Sequence, residues 1–121
     1  MSKLSDSEWQ VLTALWDSGG ASLGEVVEAL RPATGWSRNT VLTYLTRMEK
    51  KGLVAIDKEG YPHRYRAALD QDACRAQERR SFLQRVYQGS AGDLVAAFLK
   101  EEPLPPEERA RLRKLLDEME V

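Results

Sequence analysis

The sequence is poor in the residues that build covalent cross-links and metal sites, with one cysteine and one histidine among its 121 residues. A lone Cys74 can form neither an internal disulfide nor a thiolate metal cage, and it points to a reducing, cytoplasmic setting. His63 has no cluster of Cys, Asp or Glu to complete a metal site. No cofactor or metal is therefore expected. No run approaches the roughly 18 apolar residues of a membrane span. The first residues, MSKLSDSEW, lack the apolar stretch of a signal peptide. The chain also offers no nucleophile beside a base and no glycine-rich phosphate loop, which argues against an enzyme. Acidic pairs such as Glu107-Glu108 read as solvated helix faces.

What remains is a chain 42% hydrophobic and 31% charged, enough apolar material for a packed core. The net charge is only −1, yet its distribution is uneven. Residues 36–66 hold seven basic side chains (Arg38, Arg47, Lys50, Lys51, Lys58, Arg64, Arg66) against three acidic ones, while both flanks are net acidic. A local basic patch attracts phosphates even on a near-neutral molecule; it is also compatible with plain solvated surface.

Periodicity and caps predict the elements. Ser5 and Glu8 form a capping-box pair ahead of Trp9, Leu12, Leu15 and Trp16, which share one helix face. Gly19-Gly20 ends that helix. Ser22 and Glu25 repeat the capping pattern before Val26, Val27 and Leu30, and Pro32 is expected to stop the run, with Ala33-Thr34-Gly35 as a turn. A third helix is predicted from about Ser37 to Lys51, with Gly52 just past its end. Leu53 to Asp57 reads as a strand, Lys58-Glu59-Gly60 as a turn and Tyr61 to Ala67 as the return strand. Pro62 implies an edge strand or an irregular start. Three helices followed by a hairpin is the order of a winged helix. Beyond it, Asp70 or Asp72 opens a helix carrying Phe82, Leu83, Val86 and Tyr87. Ser90 opens another with Leu94, Val95, Phe98 and Leu99. A last amphipathic helix runs from Glu107 to Glu120 with Leu112, Leu115, Leu116 and Met119 on one side. The fold class is thus mainly α with a small β-hairpin.

The third helix carries the functional signal. At about 100° per residue, Val41, Leu45 and Met48 form its buried stripe. The opposite side presents Asn39, Thr40, Thr43, Thr46 and Arg47 with no acidic residue among them. Asn pairs with adenine, Arg with guanine, and Thr with a thymine methyl or a phosphate. Any exposed helix face is polar, but Thr is a mediocre helix former, so three outward threonines favour a task over plain surface. Asn39, Thr40, Thr43 and Arg47 are the candidates for DNA base edges. Ser37, Arg38, Thr46, Lys50, Lys51, His63 and Arg64 are candidates for phosphate contacts. Lys50 and Lys51 would equally suit the negative end of the helix dipole, and Tyr61 and Tyr65 could simply pack the strand while His63 is solvated.

The run LSDSEWQVLTALW, then WSRNTVLTYLTRMEKKGLV, the hairpin ending HRYRAAL, SFLQRVYQGSAGDLVAAFL and the closing PPEERARLRKLLDE together resemble the BlaI/MecI/CopY family of penicillinase-type bacterial repressors over nearly the whole chain. The resemblance implies a winged helix-turn-helix at residues 1–69 and a helical dimerisation segment at 70–121. It implies a homodimer on palindromic double-stranded operator DNA, held together by the apolar residues of the last three helices. It also implies release by a membrane metalloprotease sensor that cuts within the dimerisation segment, here at Ala97–Phe98. The chain has Ala96-Ala97-Phe98 where the β-lactam repressors resemble LNF, and Leu42 where they tend to carry a basic residue. The copper-responsive branch uses a cysteine-rich C-terminus, which Cys74 does not supply. A winged helix used only to bind another protein is the alternative.

Overall fold

The structure is a computed structural model that describes residues 3–101 and 103–119. The chain divides into two compact units, Met1–Glu78 and Arg79–Val121. The first unit holds α1 (Asp6–Ser18), β1 (Ala21–Ser22), α2 (Leu23–Thr34), α3 (Arg38–Lys50), β2 (Val54–Asp57) and β3 (Arg64–Ala67). It also holds the start of α4 (Gln71–Tyr87), and the division falls within that helix. The sequence-based expectation put the domain boundary at the head of α4 instead, at residues 69 and 70.

Local chemistry sets the helix starts. In α1 the Ser5 hydroxyl accepts from the Glu8 N–H and the Glu8 carboxylate accepts from the Ser5 N–H. Ser22 and Glu25 repeat the arrangement at α2. Each box satisfies two backbone donors that the first turn leaves without partners. The end of α3 is a Schellman turn: Leu53 N–H bonds the Met48 carbonyl and Gly52 N–H bonds the Glu49 carbonyl. Gly52 sits at φ 80°, a conformation that is costly for any side chain.

Two expectations need correction. Pro32 does not end α2; it lies inside the helix, which continues to Thr34 and closes at Gly35. The Thr34 hydroxyl bonds the Leu30 carbonyl and Gly35 N–H bonds the Arg31 carbonyl. Proline forfeits only its own bond to the Glu28 carbonyl, and this last turn is exposed, so water can replace that bond. The return strand is also shorter than expected and is not an edge. Tyr61, Pro62 and His63 lie outside it, and Arg64–Ala67 is the middle strand of the order β1-β3-β2. The partner on its other side is β1, with Ala21 opposite Tyr65 and Ser22 opposite Arg64. A two-residue strand has no alternation to read. Pro62 has no N–H to donate to a ladder, and pairing begins two residues after it.

The core of the first unit lies between α1, α2, α3 and the sheet. Val11, Leu12, Val41 and Leu45 are fully buried, with Leu15, Val26 and Met48 at 1% exposure. Removing such side chains from water stabilises the fold by about 1.5–3 kcal/mol each. Trp9 and Trp16 sit at the margin of the α1 stripe rather than its centre, half-buried, with ring centroids 6.0 Å apart. The Trp16 indole N–H donates to the Leu69 carbonyl at 2.9 Å, which ties α1 to the segment after β3.

The second unit contains the rest of α4, then α5 (Ala91–Glu101) and α6 (Pro106–Met119). Asp70 caps α4 through the Ala73 N–H and Ser90 caps α5 through the Asp93 N–H. Pro106 occupies the first position of α6, where its missing N–H costs nothing. The expected last residue of that helix, Glu120, lies outside the described residues.

Candidate nucleic-acid interface

Helix α3 is held by its inner stripe and capped by Ser37, whose hydroxyl accepts from Thr40 N–H and donates to the Thr40 hydroxyl. Trp36 stacks on Tyr44 with centroids 4.7 Å apart and an interplanar angle of 23°. That stack braces the chain entering α3 against its second turn. Sequence reasoning marked Trp36 only as a point of family resemblance and did not single out Tyr44, because Trp36 precedes the helix and helical periodicity does not reach it.

With the stripe of Val41, Leu45 and Met48 turned inward, Asn39, Thr43, Thr46 and Arg47 are exposed and Thr40 is half-buried. Asn39, Thr40, Thr43, Tyr44 and Arg47 line one shallow depression of about 290 Å³. All four candidates for base edges therefore share one surface. The Thr43 hydroxyl donates to the Asn39 carbonyl at 2.9 Å. Leu42, 39% exposed, lies on the flank of that face and does not line the depression.

The candidates for phosphate contact differ in their surroundings. Arg38, Thr46 and Lys50 are exposed and make no ion pair among the described residues. Arg38 reaches back toward the head of α2, where a side chain at Gly24 would meet its guanidinium at 3.8 Å. Lys51 and Arg64 already have partners. Lys51 Nζ donates to Glu8 Oε2 at 2.9 Å. Arg64 donates to the Gly20 carbonyl at 2.9 Å and lies 3.8 Å from Glu25. Lys58 stands 3.9 Å from Glu49. In the loop between β2 and β3, His63 is exposed beside Tyr61, itself 94% exposed, their rings edge to face at 6.3 Å. Tyr65 by contrast is buried in the core.

The ionisable groups around α3 answer to these contacts. Burial pushes the Glu8 carboxyl up, but hydrogen bonds from Ser5 and Lys51 and the Lys51 charge outweigh it and hold the pKa below its ordinary value. Backbone and side-chain hydrogen bonds with Ser22 lower Glu25 in the same direction. Burial, with a smaller contribution from Asp70, raises the Cys74 thiol, which disfavours its reactive thiolate. No group of three His, Cys, Asp or Glu side chains able to hold a metal ion occurs among the described residues, and no described helix is long and apolar enough to cross a membrane.

The second unit has a different surface. None of the described residues of α5 and α6 is buried. Phe82, Val86, Val95, Phe98, Leu99, Leu112, Leu115, Leu116 and Met119 are exposed, Phe98 at 59%, Leu116 at 61% and Met119 at 77%. Leu83, Tyr87, Leu94 and Ala97 are half-buried.

Three helices, a small antiparallel sheet and an exposed polar third helix define a winged helix-turn-helix of the kind found in transcription regulators. The family model described as penicillinase repressor matches residues 4–118, so the chain belongs to the penicillinase repressor family. It is 32% identical over 116 residues to the penicillinase repressor of Bacillus licheniformis, covering 96% of this chain and 91% of that protein. It is 28% identical over 115 residues to the methicillin resistance regulatory protein MecI of Staphylococcus aureus, covering 95% and 94%. Among solved structures it is similar to the monomeric form of Bacillus licheniformis BlaI in complex with the blaP half-operator. That likeness has a TM-score of 0.52 and 31% identity, over 59% of this chain and 87% of that one.

Proposed function

We propose that this chain is a transcriptional repressor that binds palindromic operator DNA as a homodimer. The observation that carries the reading is the outer face of α3, where Asn39, Thr40, Thr43 and Arg47 share one surface free of acidic groups. An exposed helix with this chemistry fits the major groove, whose edges offer matching acceptors, donors and methyls. Ser37, Arg38, Thr46 and Lys50 would meet the flanking phosphates. His63 would do so from the loop between β2 and β3. Lys51 and Arg64 would reach phosphate only by sharing or leaving their present partners.

The apolar faces of α4, α5 and α6 supply the reason for a dimer. They remain open to water in one copy, and a second copy related by a two-fold axis would cover them. Two α3 helices would then address half-sites one helical turn apart or a multiple of it. In this division of labour the winged helix of residues 1–69 reads DNA and residues 70–121 pair the subunits. Release by a membrane metalloprotease sensor at Ala97–Phe98 follows from the family resemblance. That bond lies inside α5, so cutting it requires the helix to open locally.

The test is a mobility-shift titration with the DNA upstream of the protein's own gene, against random duplex at the same salt. Wild type should prefer the upstream DNA. Arg47→Ala should lose about 1–3 kcal/mol of binding and relax the preference at one base pair per half-site. Equal binding to both duplexes by wild type would leave a protein-binding winged helix as the better reading.

A further inference from the structure

We propose that Leu42, on the flank of the outward side of α3, selects operators by the 5-methyl groups of thymine. The inference rests on the DNA-reading role of α3 and assigns a sequence preference within it.

Three observations carry it. The core side of α3 is already filled by Val41, Leu45 and Met48, exposed by 0%, 0% and 1%, so Leu42 is not needed there. At about 100° per residue Leu42 lies about 60° to one side of Asn39 and Thr43 about 40° to the other, and both are exposed. The Thr43 hydroxyl proton is committed to the Asn39 carbonyl at 2.9 Å. Thr43 therefore has no proton left to donate to a base, although its hydroxyl oxygen can still accept one. Thr46, exposed between Leu42 and Asn39 around the helix, adds a third methyl.

The outward side of α3 is thus divided. Asn39, Thr40 and Arg47 present mainly polar groups, Thr43 and Thr46 a hydroxyl and a methyl each, and Leu42 methyls alone. The thymine methyl is the one apolar group on the major-groove base edges, and an exposed leucine there gains nothing from the donors and acceptors around it. Leu42 would bury against that methyl and leave neighbouring hydrogen bonds unchanged. A cytosine at the same place would present only its C5–H to the leucine and lose the methyl contact.

The full-length protein should first be used to enrich a preferred duplex from a random-sequence library. Each thymine of that duplex is then replaced singly by uracil, which removes only the methyl. Affinities are measured by fluorescence anisotropy for wild type, Leu42→Ala and Leu42→Met. Wild type should weaken about fourfold at one or two thymines per half-site, the factor that burial of one methyl-sized group gives. The loss at the thymine facing Leu42 should vanish in Leu42→Ala and persist in Leu42→Met, with thermal unfolding little changed because the side chain is outside the buried cluster. Enrichment of a sequence whose uracil scan is flat, or is the same in wild type and Leu42→Ala, overturns the thymine-methyl role alone. A library from which nothing is enriched overturns the DNA-reading role together with it.

Discussion

Lys51, at the C-cap of α3, donates a 2.9 Å hydrogen bond to Glu8, the residue that closes the capping box of α1 43 positions earlier. One carboxylate thus serves two helices: Oε1 accepts from the Ser5 N–H and Oε2 from the lysine. The contact sets the C-terminal end of α3 against the first helix of the core.

Acid should weaken this contact. The folded-state pKa of Glu8 is lowered from its ordinary 4.5, so its stabilisation is present above that value and is lost as pH falls through the lowered one. Glu8→Gln keeps the shape and removes the charge. Its unfolding free energy should be about 1–2 kcal/mol below wild type at pH 7, a figure held down by the solvated lysine partner. The gap should close as pH drops below the ordinary value. Urea denaturation from pH 7 to pH 3 measures it, and a gap that does not change with pH would count against the charged contact.

The two adjacent lysines should behave differently. Lys50 is exposed with no ion-pair partner among the described residues, so Lys50→Ala should weaken binding to all duplexes and reduce the salt slope by about one, at unchanged stability. Lys51→Ala should instead lower the melting temperature, because it leaves the buried Glu8 carboxylate without its cation. Melting curves combined with salt titrations separate the two, and identical behaviour would sink the distinction.

Trp16→Phe keeps most of the ring and removes the indole N–H that meets the Leu69 carbonyl. The loss should be about 1 kcal/mol, read as a lower denaturant midpoint at unchanged slope. A midpoint equal to wild type would mean that water replaces the bond at no cost.

Phe98 is 59% exposed in one copy of the chain. Phe98→Asp should convert a dimer of 13.7 kDa chains into a monomer in sedimentation, since a charge would be buried at the shared face. Operator affinity should fall by about a hundredfold or more as the second half-site contact is lost. A variant that remains dimeric would move the interface elsewhere on the helices.

Much of this protein was legible in local chemistry. The capping boxes at Ser5 and Ser22, the stripe of Val41, Leu45 and Met48, the Gly52 terminus and the polar face of α3 depend on residues three, four or seven apart, and such spacings are written in the chain. The same holds for the apolar faces of α5 and α6. Pro32 misled because its usual effect was outweighed by the exposed position of the turn that holds it. The tertiary structure alone decided the rest. It paired β1 with β3, joined Lys51 to Glu8 and Arg64 to Gly20, stacked Trp36 on Tyr44 and left Leu42 exposed on the flank of α3. Most of these contacts join residues far apart in sequence, where no periodicity links them. Only a packed core brings such partners within hydrogen-bonding distance and determines which basic side chains are left facing outward.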